Sequence, residues 1–138
     1  MIITTKIGLV MFKYTFVFLM LSSLSRCETN VNVDDLFPKE INLETRIYKK
    51  NNNTICKTIA IDSIKISKLR TWFEKNSSNW KIEPTTFAVP PIDINGTNFN
   101  LMIFDNFVVL NYKDLNGKEH MQCTKRVSNS EFDFLTKY

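Results

Sequence analysis

The chain predicts an α+β domain: an antiparallel sheet with two helices packed on one face, in the order ββ-α-β-βββ-α, following a cleaved N-terminal signal. Three observations predict it. Apolar residues alternate with polar ones over most of the chain, the period switches to helical spacing around residues 66–76, and Asn-rich turn signals separate the alternating runs.

Residues 1–26 are the secretion signal. Lys6 and Lys13 supply a positive flank, no acidic residue precedes Glu28, residues 14–21 (YTFVFLML) are apolar, and Ser22, Ser23 and Ser25 follow. That order of regions marks an exported chain. The apolar run after Lys13 spans eight residues, against the roughly 20 needed to cross a bilayer. A retained signal anchor drawn from residues 7–21 is the alternative, and Met11 is an alternative start. Two cleavage chemistries compete. Ser23-Leu24-Ser25 fits a small-x-small site releasing a soluble product at Arg26. Residues 24–27 (LSRC) resemble the bacterial lipobox, which makes Cys27 a candidate for lipid modification; Arg26 stands where the lipobox has Gly, Ala or Ser.

Loss of the leader changes the charge. The whole chain carries 18 basic and 14 acidic residues, a net of +4; Lys6, Lys13 and Arg26 fall in the leader, which leaves 15 against 14, a net of +1. Basic and acidic residues are interspersed, so nothing supports long-range attraction to nucleic acid.

The remaining 112 of 138 residues suffice for one domain, divided into a polar tether at 27–42 and a folded part at 43–138. A core of that size is thin, and a staple would help it. With Cys27 lipidated or near a loose end, Cys56 and Cys123 form an even pair in an oxidising compartment. Bridging them would contribute about 4 kcal/mol in the chain-entropy account; the alternative is two buried free thiols.

Within 27–42 the sequence is polar, contains Pro38, and shows at most a helical turn at 34–37. Residues 43–49 and 54–61 alternate around the Asn-rich turn 50–53 and predict a hairpin. Ile66, Leu69, Trp72 and Phe73 fall at helical spacing with Lys68, Arg70, Glu74 and Lys75 opposite; Ser67, Asp62 or Ser63 can cap the start. Residues 76–79 end that helix, and 80–83 alternate up to Pro84. The prolines in 87–92 exclude a central strand there and predict an edge or crossing loop. Asn95-Gly96 marks a turn. Residues 99–104 and 107–112 flank Asp105-Asn106, and Asn116-Gly117 turns the second of these back into 118–125, giving a three-stranded meander. Ser128 and Glu131 form a capping box before a short terminal helix.

The sequence carries little that points to catalysis. His120 and Cys123 lie three apart on a predicted strand, so alternation places them on opposite faces, against what a Cys–His nucleophile needs. One histidine without a CxxC pair gives too few zinc ligands, and three glycines at 8, 96 and 117 make no phosphate loop. Asp34-Asp35 is the closest carboxylate pair, within the tether. No cofactor is expected. Three N-x-[ST] sequons begin at Asn52, Asn76 and Asn95, meaningful only in a eukaryotic secreted protein.

What remains is surface for binding another protein. Trp80, Pro90 and Pro91 in the crossing loop, and Asp105 and Asn106 at the hairpin tip, are the candidate contacts. In general form the chain resembles small bacterial envelope proteins that neutralise another protein, such as immunity proteins and lysozyme inhibitors. That resemblance implies a non-enzymatic partner-binding protein, lipid-anchored or free, in the periplasm, on the outer membrane or cell surface, or secreted. A secreted enzyme or toxin would be its partner, with the membrane touched only through Cys27. An envelope-assembly lipoprotein and a secreted hydrolase with an unrecognised site are the alternatives.

Overall fold

The structure, a computed structural model, describes residues 27–39, 41–48 and 55–136, without the side chains of Ile55, Cys56 and Asn129. The secretion signal and the turn at 50–53 lie outside the described residues. Among those residues, eight strands form one antiparallel sheet with a few short helices, an α+β arrangement. In chain order they are β1 (Glu28–Thr29), α1 (Val33–Leu36), β2 (Glu44–Tyr48), β3 (Ile55–Ala60), α2 (Ser63–Lys75), β4 (Trp80–Ile82), β5 (Ile92–Asn95), β6 (Phe99–Ile103), β7 (Phe107–Tyr112) and β8 (Cys123–Arg126). A 3-10 turn (Asn129–Phe132) and α3 (Asp133–Thr136) close the chain. The sheet runs β1-β4-β8-β7-β6-β5-β2-β3.

Strand alternation assigns the faces. Phe99, Leu101 and Ile103 stand opposite Tyr112, Leu110 and Val108 in the β6–β7 register, and all six are buried. Cys123, opposite Leu110, continues this face into β8. Against it lies α2, with Leu69, Trp72 and Phe73 buried. The Phe73 ring stacks on Trp80 at 6.1 Å and meets Phe99 edge-on at 5.9 Å, spacings at which aromatic pairs attract beyond their buried area. Asp62 caps α2, its Oδ1 accepting from Lys65 N–H at 2.8 Å, so the helix starts one turn before its apolar stripe. Its far end is held by Asn76, whose Nδ2 donates to the Trp72 carbonyl at 2.9 Å. Asn79 then takes φ 60°, a conformation asparagine tolerates.

The C-terminal segment locks onto this helix. Glu131 accepts from Ser128 N–H at 2.8 Å with one oxygen and from Trp72 Nε1 at 2.7 Å with the other. One carboxylate thus caps the terminal turn and satisfies the helix tryptophan, while Phe132 packs on Trp72 at 4.8 Å.

Three expectations need correction. Residues 27–42 are not a tether: β1 pairs with β4, and Val31, Leu36 and Phe37 are buried in the core. Arg70 fixes α1 to α2 through Asp34 at 2.7 Å. Next, β5 begins directly after Pro91 and pairs with both β2 and β6; the prolines stop one residue short of the ladder, so their missing donors cost it nothing. Gly96 closes the β5–β6 turn in close quarters, where a Cβ would come within 2.7 Å of Leu43 Cδ2. Finally, the Cys56–Cys123 bridge is absent. Cys123 is a free, buried thiol, and Cys56 belongs to β3, with four strands between β3 and β8. Five strand spacings of about 4.8 Å separate them along the sheet, whereas a disulfide needs Cα atoms within about 7 Å.

The meander is as expected at the Asp105-Asn106 hairpin. Its second turn closes on Asp114, whose Oδ1 accepts from Asn116 and Lys118 N–H at 2.9 and 3.0 Å, with Gly117 at φ 80°. Strand β8 starts only at Cys123, so residues 118–122 contribute a single bridge, Lys113 to Glu119.

Burial pushes the Cys123 thiol from 9.0 up to about 12. In the unfolded chain this thiol ionises near its ordinary value while the folded one keeps its proton, so this contribution is complete below pH 9 and declines as pH rises towards 12. Each pH unit removes up to about 1.4 kcal/mol. Cys123→Ala therefore flattens the alkaline fall in stability measured by urea unfolding, and adding reductant leaves the melting temperature unchanged. Trp80→Ala, which removes a fully buried ring, costs about 3–5 kcal/mol. Glu131→Ala costs about 2 kcal/mol by orphaning Trp72 Nε1 and the Ser128 amide, read as a fall in melting temperature.

Candidate functional site

The sheet face away from α2 is built by the outward-pointing members of the same strands. Lys81 on β4 stands opposite Thr124 on β8, and Arg126 on β8 stands opposite Phe107 on β7. The connection from β4 to β5 spans β8, β7 and β6 in the sheet order, and it does so on this side. Phe87 within it lies 5.6 Å from the Phe107 ring and 6.0 Å from Phe104, which stack on each other at 4.6 Å and 6°. Gln122 Nε2 anchors the start of the crossing by donating to the Glu83 and Thr85 carbonyls at 2.8 and 2.6 Å. Val109, pointing to this face, is fully buried, and Pro90 is buried as well.

Between the crossing segment, the hairpin tip and the short edge strand β1 lies an open groove of about 770 Å³. Phe87 and Phe107 form one wall and Asn106 the tip. Lys81, Thr124 and Arg126 line the strands, and Glu28 reaches in from β1. Glu83 is internally satisfied, accepting from Thr124 Oγ1 at 2.9 Å and pairing with Lys81 at 3.5 Å. Lys125 donates to the Ser78 carbonyl at 2.7 Å and lies 5.9 Å above the Trp80 ring. Arg126 is exposed and makes no ion pair among the described residues. The groove thus offers an aromatic ledge beside a free guanidinium, a combination suited to recognition.

The structure separates the sequence-predicted contacts. Asn106 lines this groove; Asp105 and Pro91 are exposed but line a smaller depression beside α3. Trp80 and Pro90 are buried and unavailable to a partner; Trp80 Nε1 donates to the Asn76 carbonyl at 2.7 Å. Cys27 is exposed directly before β1, with its carbonyl accepting from Ile82 N–H at 2.9 Å. The Cys56 side chain lies outside the described residues.

His120 and Cys123 do not meet as a nucleophilic pair. Cys123 lies in the core with its thiol pushed up to about 12, while exposed His120 stacks on Tyr112 at 4.3 Å. Asp34 and Asp35 sit in α1, where Asp34 pairs with Arg70. Among the described residues no group of three or more His, Cys, Asp or Glu is placed to hold a metal ion. Two sequon asparagines have their side-chain nitrogens engaged internally, Asn76 with the Trp72 carbonyl and Asn95 with Asp93 Oδ2 at 2.8 Å. A glycan at either would replace one of that nitrogen's two hydrogens and leave the other to keep the bond; Asn52 lies outside the described residues.

Sequence reasoning missed Phe87, Phe107, Arg126 and Lys81 as a group. The available signal was Phe104 and Phe107 flanking a two-residue turn on the outward parity of both strands, opposite the buried Ile103–Val108 pair. Aromatic rings on a sheet's outward side require cover, and here only a loop supplies it. Among the described residues no helix is long and apolar enough to cross a membrane. Comparison with protein-family models, with curated proteins and with solved structures finds no match for this chain.

Proposed function

We propose that this chain is an exported, non-enzymatic protein-binding protein of inhibitor or immunity type, acting in the periplasm or at the cell surface, with the groove beside Phe87 and Phe107 as its contact surface. The observation that carries the reading is that aromatic ledge next to an arginine without an ion pair among the described residues. Tyr, Trp, Phe and Arg dominate binding energy at interfaces because they bury large area and form charge-assisted hydrogen bonds. In this reading α2 and α3 share one face, with Lys65 Nζ donating to the Leu135 carbonyl at 3.3 Å, and leave the other to a partner. Export rests on the leader sequence. Lipid anchoring at Cys27 accords with the exposure of that residue at the sheet edge.

The test is capture from the native envelope, using the exported chain carrying a photo-crosslinker at Asn106, with cross-links mapped by mass spectrometry. A specific partner is expected, bound at least about tenfold more weakly by the Phe87→Ala/Phe107→Ala double variant, the scale of a lost hot spot. A partner that binds the double variant unchanged removes the groove from the mechanism. Intact mass of the processed chain reads the anchor: acylated Cys27 supports it, and an N-terminus at Arg26 refutes it.

A further inference from the structure

We infer that the groove takes an extended acidic segment of the partner chain, with a carboxylate on Arg126 and an aromatic or branched apolar side chain on the Phe87–Phe107 ledge. This rests on the groove being the contact surface and adds what it selects.

The charges facing the groove decide the sign. Glu83 is spent on Lys81 and Thr124. Lys125 stands opposite Val108 on the α2 face, its Nζ on the Ser78 carbonyl and over the Trp80 ring, so the cation facing the groove is Arg126, which has no partner of either kind among the described residues. Against this cation the groove keeps one carboxylate without an ion pair among the described residues, Glu28 on β1, two strands from β8. That is about 10 Å at the usual strand spacing. The arrangement is polar: positive at the end where Arg126 stands opposite Phe107, negative at the β1 rim. An acidic residue of the partner is therefore favoured at the aromatic end and repelled at the other, which sets the direction of the bound segment as well as its charge.

Arg126 suits a carboxylate. Its planar fork can hold both oxygens at once, and its placement across from Phe107 lets a side chain two residues from that carboxylate lie on the ring. An extended chain places alternate side chains on one side, so a carboxylate two residues from an aromatic fits both features together. A basic segment would meet Arg126 with like charge. A neutral apolar one would leave the guanidinium without a partner while covering it.

Titration calorimetry with synthetic capped pentapeptides tests this directly, one with a single Glu two residues from a Phe and one with Gln in place of that Glu. The exported chain should bind the Glu peptide at least about tenfold more tightly, the effect of one close charge pair, and the preference should shrink as salt is raised. Arg126→Glu should abolish the preference and transfer it to the peptide with Lys in place of that Glu. Lys113→Glu, a charge change elsewhere on the sheet, should leave it intact. Equal binding of the Glu and Gln peptides, no binding of any peptide, or an unchanged preference in Arg126→Glu each overturns the inference. Cross-links from the envelope partner to the ledge, without any acidic preference, would sink the selectivity alone. Survival of partner binding in the double Phe variant would sink the groove itself.

Discussion

Trp80 occupies the point where three parts of the chain meet. Its ring stacks on Phe73 of α2 and meets Trp72 edge-on, its Nε1 donates to the carbonyl of the α2 cap residue, and its backbone pairs with β1. The same helix turn presents Trp72 to Glu131 and Phe132, so the C-terminus is seated on the first layer of contacts. Phe73 continues the aromatic chain to Phe37 and Phe99. With so few long elements, the domain relies on side-chain contacts between distant segments more than on any one helix. Large rings supply the buried area that a small domain otherwise lacks, and without the Cys56–Cys123 bridge this cluster is the staple.

The sequence made legible whatever depended on local pattern. The β2–β3 and β6–β7 hairpins, α2 and the terminal capping residues all follow from alternation, helical period or turn chemistry within about a dozen residues. What failed required knowledge of distant partners. Two residues of β1 have no periodicity of their own and become a strand only because β4 offers an edge. Val31, Leu36 and Phe37 look like scattered apolar residues in a polar stretch until α2 is there to receive them. Pro90 and Pro91 correctly excluded a strand over themselves, yet that exclusion was carried too far, onto Ile92, where the ladder begins. The disulfide was inferred from an even cysteine count, and strand order, which no count contains, removed it.

The groove was legible only in fragments. Asn106 and the crossing loop were recognised as surface, but Trp80 was selected for its chemistry and is consumed by the core. Lys81 on β4, Thr124 and Arg126 on β8 and Phe107 on β7 are ordinary outward residues; only the order β4-β8-β7 makes neighbours of them. Phe87 reached the ledge because the crossing had to run over three strands, a requirement set by β5 lying beyond β6. A binding face assembled by a long crossover is invisible to any reading that stays local.

Because the chain is hydrogen-bonded into the sheet from Cys27 onward, the domain has no slack at its start. A flexible stretch of 16 residues would let a domain roam about 20 Å from its attachment point; here that allowance is zero. Whatever is joined to the chain at Cys27 is therefore held within a strand's reach of β4, beside the Glu28 rim of the groove. Two residues of strand thus set where the groove lies relative to that point of attachment.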